Sequence, residues 1–294
     1  MSIIKQKDFI SHTVNEKTDL LPFLLKVINK SRNSVKSILK RGQVMVDGHI
    51  TTQHNYPLYE GQTVDILTNK ASKKYSLLDG VQILYEDDDL IGINKESGVL
   101  SMGSNQPNER NAYRQLTDFV KFDHPSRRIF IVHRLDRDTS GVMLYAKNEQ
   151  VKNALQYNWN EVVKKRLYTA LVEGEVKEEK NTISSWLKET DSYHVYSTTD
   201  EQEGKHAVSH YKKVRGNDKY TLIEVELETG RKNQIRVHMK DIGHPIVGDK
   251  KYGAKSNPIK RLGLHATTLQ LTHPTSKEMM TFTAQVPNSF KDLL

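Results

Sequence analysis

The stretch "IFIVHRLDRDTSGVMLYA", residues 129–146, sets a charged segment between two apolar runs. Short runs rich in Ile, Val and Leu read as strands entering a core. Between them, residues 133–141 carry the carboxylates of Asp136 and Asp138, the guanidinium groups of Arg134 and Arg137, and His133. Two readings compete: a salt-bridged turn between strands, or a catalytic carboxylate held by arginines. A free aspartate, with a pKa of about 3.9, needs no arginine to ionise in the open at neutral pH. In a dry cleft, burial raises a carboxylate by up to about 3 to 5 units and a close arginine lowers it by about 1 to 3. The pairing therefore suits an aspartate that works away from water. Asp138, just before Thr139-Ser140-Gly141, is the better turn-capping residue, which leaves Asp136 the freer one. Residue types alone do not rank the two.

Strand patterns dominate on both sides of this segment: "VQILYE" (81–86), "LIGINK" (90–95), "IFIVHRL" (129–135), "VMLYAK" (142–147), "LYTALVEG" (167–174), "AVSHYKKV" (207–214), "YTLIEVEL" (220–227) and "ATTLQLTH" (266–273). The clearest helical stretch among them is "EQVKNALQYNWNE" (149–161), with Val151, Leu155 and Trp159 four apart. Many strands and few helices, without regular alternation, predict an α+β domain over 80–294 around a large, mostly antiparallel mixed β-sheet.

Residues 1–67 form a separate pattern. Leu20, Phe23, Leu24, Val27 and Ile28 recur at helical spacing. A second helix, capped by Asn33 or Ser34, turns Val35, Ile38 and Leu39 inward, with Gly42 at its C-cap. Val44 and Val46 then alternate into an Asp47-Gly48 hairpin, and "EGQTVDIL" supplies a further strand. Lys36 and Lys40 share one face of the second helix, with Lys30, Arg32 and Arg41 nearby. The polar, basic segment 68–79, "TNKASKKYSLLDG" through Gly80, reads as a linker.

The 294 residues carry 44 Lys and Arg against 36 Asp and Glu, a formal net charge of +8, which favours a polyanionic partner. There are no cysteines, so disulfides, thiolate metal sites and cysteine nucleophiles are excluded. The beginning "MSIIKQKDFI" lacks a signal-peptide apolar core, and "LLPFLLKVI" is too short to span a membrane. A cytoplasmic protein is expected. Neither a Walker loop nor a dinucleotide glycine fingerprint occurs. His206 and His210 have the spacing of a helical zinc pair but lie in a strand pattern, where they would sit about 13 Å apart. "EDDD" (86–89) reads as an acidic turn rather than a magnesium site.

Residues 133–141 resemble the signature of the RluA family of pseudouridine synthases, HRLD followed by a Thr/Ser pair and Gly. Four more segments resemble the family in its order: 83–98, with Glu96 where proline is usual; 164–174; 227–253, with Lys232-Asn233 where Thr-His is usual; and 262–274. Together with 133–141 they span nearly all of 80–290. Residues 31–48 resemble the S4 RNA-binding domain. These resemblances imply a pseudouridine-synthase catalytic sheet behind a small α/β S4-like domain. They imply that Asp136 is the essential carboxylate, that Arg231 holds it ionised and oriented, and that Tyr168 stacks on uracil and joins a late proton transfer. Arg134 would occupy the space the uridine leaves, and His133 would serve the fold. Arg32, Lys36, Lys40 and Arg41 would grip RNA phosphates. The implied chemistry is redox-neutral and calls for neither cofactor nor metal. The implied partner is RNA, ribosomal RNA of the large subunit ahead of transfer RNA, bound by a monomer with no membrane association. A non-catalytic S4-type RNA- or ribosome-binding protein would have no use for Asp136, Tyr168 and Arg231 together. A carboxylate hydrolase would need a second acid or a metal.

Overall fold

Apolar residues spaced three and four apart early in the chain, then two apart, produce a small helical layer on a short sheet. The computed structural model describes residues 9–103 and 109–294; residues 1–8, part of the stretch read for a leader, lie outside it. The first unit runs β1 (Phe9–Thr13), β2 (Thr18–Asp19), α1 (Leu20–Val27), α2 (Arg32–Lys40), β3 (Val44–Val46), β4 (His49–Ile50), β5 (Pro57–Leu58) and β6 (Thr63–Leu67). Its sheet has the order β1-β6-β3-β4, with β2 paired to β5. Leu20, Leu24, Val35, Leu39, Val44 and Val64 close its core. The cap of α2 is Ser31, not Asn33 or Ser34: Ser31 is extended and its Oγ accepts from Ser34 N at 3.3 Å, while the other two already lie within the helix. Asp47 and Gly48 both take positive φ, 47° and 79°, as a tight two-residue hairpin turn requires.

The segment read as a linker is mostly a helix, α3 (Asn69–Tyr75), capped by Thr68. Its Ala71 and Tyr75, with Met45 and Leu67, pack into the core of the larger unit. Lys74 is buried there, 2.7 Å from Asp123 Oδ2 and 4.0 Å from the centre of the Phe119 ring. The aperiodic composition concealed this because one buried lysine replaces an apolar residue.

The larger unit runs β7 (Val81–Glu86), β8 (Leu90–Lys95), α4 (Ala112–Lys121), β9 (Phe130–Ile131), β10 (Ser140–Ala146), α5 (Glu149–Tyr157), α6 (Trp159–Val162), β11 (Val163–Glu173), β12 (Lys180–Glu189), β13 (Val195–Thr198), β14 (Lys205–Gly216), β15 (Tyr220–Leu227), α7 (Gln234–Asp241), β16 (Leu264–Thr272), β17 (Met279–Thr283) and α8 (Asn288–Lys291). The strands make one 11-stranded sheet, in the order β13-β12-β14-β15-β11-β16-β10-β8-β7, with β17 on β16 and β9 on β10. The expected mostly antiparallel α+β architecture is present. The long strand expected at 129–135 is only the two residues of β9; the rest is a loop whose backbone is held by side chains. The expected helix 149–161 breaks at Asn158 into α5 and α6.

Helix α4 covers one face of the sheet through Ala112, Leu116, Phe119 and Val120. Helix α5 covers β10, β16 and β17 with Val151 and Leu155. Helix α7 lays Ile235 and Met239 on β11, β14 and β15. Strand β16 is central. It pairs in parallel with β10, Gly141 opposite Ala266, and antiparallel with β11, Tyr168 opposite the same Ala266. A Cβ on Gly141, whose φ is +116°, would meet Ala266 O at 2.2 Å, so only glycine fits this seam.

Candidate active site

The loop before β10 is pinned almost entirely through its backbone. Ser101 Oγ donates to Leu135 O at 2.6 Å and accepts from Leu135 N at 3.1 Å. Thr139 N closes a turn onto Asp136 O at 3.2 Å, and Gly98 N donates to Arg137 O at 2.9 Å. Lys95, 0% exposed, donates to Glu96 O, Val99 O and Arg137 O at 3.0, 2.7 and 3.0 Å. Burial pulls its ammonium down to about 7, against the pull of Asp138 and Asp136. With the main chain occupied in this way, the Asp136 carboxylate stands 37% exposed and free to act. Asp138 does not cap the turn: its side chain pairs with Arg137 at 3.2 Å, and its carbonyl accepts from Ser97 Oγ.

Asp136 opens into a cavity of about 540 Å³, within the range of a small-ligand site. Arg134, Arg166, Arg231, Lys232 and Arg236 line it, and Asp136 is its one acidic lining residue. Five cations around one carboxylate suit a polyanion that brings a single group inside. Tyr168, from β11, forms another wall. Burial pushes its hydroxyl up to about 12, with Arg166 pulling it down and Asp136 pushing it up. At neutral pH it is a phenol that can donate a hydrogen bond.

Arg231 does not hold Asp136. Its Nε donates to His206 O at 2.9 Å on β14. The guanidinium beside the carboxylate is that of Arg236, with Nη1 3.8 Å from Asp136 Oδ2. The reason lies in the chain path: Arg231 belongs to the turn leaving β15, whereas Arg236 lies on α7, which begins at Gln234 and lines the cavity with its first turn. Arg236 is itself gripped by Asp249, with Nε–Oδ2 and Nη2–Oδ1 both 2.7 Å.

His133 is a structural histidine. Burial pushes it down to about 4, and its Nε2 accepts from Leu144 N at 3.0 Å, which a protonated ring could not do. Arg134 is exposed at the rim. Arg32, Lys36, Lys40 and Arg41 lie exposed on or beside α2, away from the cavity walls. His206 and His210 lie on β14 and bond to different hydroxyls, Ser184 and Thr182. In the acidic turn, Asp87 accepts from Tyr85, Asp89 N and Leu90 N. Among the described residues no three His, Asp or Glu side chains group as metal ligands. Sequence reasoning missed Lys95, Arg166, Arg236 and Asp249. The signal for Arg236 was present, since it stands in the "NQIRVH" segment already singled out.

The model of the RNA pseudouridylate synthase family matches residues 89–241. Over 291 residues the chain is 32% identical to the Bacillus subtilis RNA pseudouridine synthase YhcT, covering 95% of this chain and 94% of that one. It is 30% identical over 285 residues to the ribosomal large subunit pseudouridine synthase D of Haemophilus influenzae, covering 90% and 86%. The structure of human RNA pseudouridylate synthase domain containing 4 superposes with a TM-score of 0.60 at 23% identity, over 72% of this chain and 92% of that one. The chain belongs to the RNA pseudouridine synthase family. It is an isomerase that acts on RNA.

Proposed function

We propose that the protein converts uridine to pseudouridine in large-subunit ribosomal RNA, with Asp136 as the reactive carboxylate. One observation carries the assignment: Asp136 is the single acid lining a cavity walled by five cationic side chains and a tyrosine. The reaction breaks the bond from ribose C1′ to uracil N1 and joins C1′ to C5. The hydrogen on C5 leaves and N1 gains one, so no oxidant, donor or net charge is needed. A uridine in a stem must first leave its stack, at about a few kcal/mol. Arg134 at the rim enters the gap it leaves. Tyr168 stacks on the uracil and passes a proton late in the sequence. Arg236, in place of Arg231, keeps Asp136 aimed; Arg231 and Arg166 meet phosphates. Ribosomal RNA is favoured over transfer RNA by the name of the Haemophilus influenzae relative.

Residues 1–67 act as an S4-like RNA-binding domain ahead of a catalytic domain over 80–294. Support comes from the pair α1–α2, the β3–β4 hairpin behind it, and the exposed Arg32, Lys36, Lys40 and Arg41. The protein works as a monomer in the cytoplasm. The deciding experiment maps pseudouridine in ribosomal and transfer RNA from cells with the gene deleted, restored, and restored as Asp136→Asn. The reading expects a large-subunit site present only in the second strain. Sites confined to transfer RNA would move the substrate, and identical maps in all three would end the assignment.

A further inference from the structure

Arg236 reaches Asp136 with one nitrogen, and the rest of its guanidinium is held from behind. Asp249, 2% exposed, takes Nε and Nη2 in a two-pronged grip at 2.7 Å each. Asn233 Oδ1 accepts from Nη1 at 3.0 Å. Asn233 Nδ2 donates to Tyr252 Oη at 3.0 Å, and the Tyr252 ring lies 4.8 Å from the guanidinium carbon. Asn233 reaches both because its backbone is left-handed, φ 55°, just before α7. We propose that Asp249, with Asn233 and Tyr252 as its supports, is a positioning residue for the isomerisation: it keeps Arg236 aimed at Asp136 without letting Arg236 clamp it.

The chemistry of the arginine–carboxylate pair supplies the reason. A guanidinium has five N–H donors, and left free it binds a carboxylate through two parallel hydrogen bonds. Such a clamp on Asp136 would occupy both oxygens that must reach the nucleotide. Here Asp249 takes the clamp, and the 3.8 Å from Nη1 to Asp136 Oδ2 is beyond hydrogen-bond length. Asp136 therefore feels the charge of Arg236 while keeping its lone pairs free. Asp249 sits on the loop after α7, is not itself part of the cavity lining and makes no hydrogen bond or ion pair with Asp136, so its influence passes through Arg236.

This inference rests on the assignment of Asp136 above, and the test separates the two. The full-length protein in excess is mixed with bulk RNA from a strain lacking the gene, grown on uridine tritiated at C5. Joining C1′ to C5 releases the tritium to water, and varying enzyme concentration gives a maximal rate and a half-saturating concentration. Asp249→Asn, nearly the same shape, is expected to lower the maximal rate about tenfold to a hundredfold, the range for a misplaced catalytic group. Half-saturation should stay within about twofold of wild type, since the RNA contacts remain. In an Arg236→Lys background, which cannot accept the two-pronged grip, the same substitution should lower the rate less than about threefold. A loss confined to half-saturation, or the same factor in both backgrounds, would overturn the proposal. If Asp249→Asn does not fold, Asn233→Ala and Tyr252→Phe carry the test: each should slow the maximal rate severalfold at unchanged half-saturation, and full rates in both would overturn it. Tritium release surviving Asp136→Asn would instead overturn the assignment of Asp136.

Discussion

Acid should dismantle this active site through histidines that take no part in the chemistry. His265 and His238 are buried, and burial pushes each from 6.5 down to about 4. Both rings sit in closed sets of hydrogen bonds. His265 Nε2 faces Ala284 O at 3.4 Å, and a carbonyl only accepts, so in the neutral ring that nitrogen carries the proton and Nδ1 accepts from Ser140 Oγ at 2.7 Å. His238 is enclosed in the same way, with Nδ1 2.9 Å from Ser209 Oγ, which accepts from Gln234 Nε2, and Nε2 3.1 Å from Ser185 Oγ. A proton on either ring would place a charge where burial denies it water. Between pH 6.5 and 4 the unfolded chain takes up these protons and the folded chain does not, so the stability present above pH 6.5 is lost as pH falls through this window. A shift from 6.5 to about 4 corresponds to about 3 kcal/mol for each ring. His133, partly exposed and also lowered to about 4, adds a smaller amount in the same direction. Asp65, raised by burial, opposes them as a single group. Together the two buried rings approach the whole stability of a typical domain, about 5 to 15 kcal/mol. Urea denaturation followed by tryptophan fluorescence from pH 7.5 to 4.5 should show a steep decline below pH 6.5. His265→Asn, which keeps an acceptor but does not titrate, should flatten it by about 1.4 kcal/mol per pH unit. A flat profile from pH 7 to 5, or an unchanged slope in that variant, would refute the reasoning.

Charge and seam yield two further expectations. Lys36→Glu with Lys40→Glu should weaken binding to ribosomal RNA and lower the slope of log affinity against log salt by about 2, one per lost phosphate contact; an unchanged slope in a titration at several salt concentrations would remove α2 from RNA capture. Gly141→Ala places a methyl group 2.2 Å from Ala266 O at φ +116°. It should cost about 3 kcal/mol or more, read as a lower urea midpoint, and an unshifted midpoint would contradict the described β10–β16 pairing.

The strands were legible where apolar alternation is strong, as in β7, β8 and β15, because one or both faces are buried. β12, "KNTISSWLKE", escaped because little of it is buried. Helix α4 carries a plain apolar spacing, Ala112, Leu116, Phe119 and Val120, yet it stands between strand signals. The site was legible as a set of segments but not as contacts. Arg231 and Arg236 lie five residues apart, and only the start of α7 decides which one faces Asp136. Lys95 reads as the polar end of a strand; its burial depends on three carbonyls that converge only in the folded chain.

The shared partner of Gly141 and Tyr168 has a consequence for synthesis. Both are aligned by Ala266, on a strand that leaves the ribosome after Asp136, Tyr168 and Arg236 have all been made. Loop closure over so long a separation must wait for that strand. A nascent chain therefore holds every reactive side chain and still lacks the seam that aligns them. Interrupted translation products ending before β16 are expected to be inert, so the enzyme begins to modify RNA only once that strand has been made.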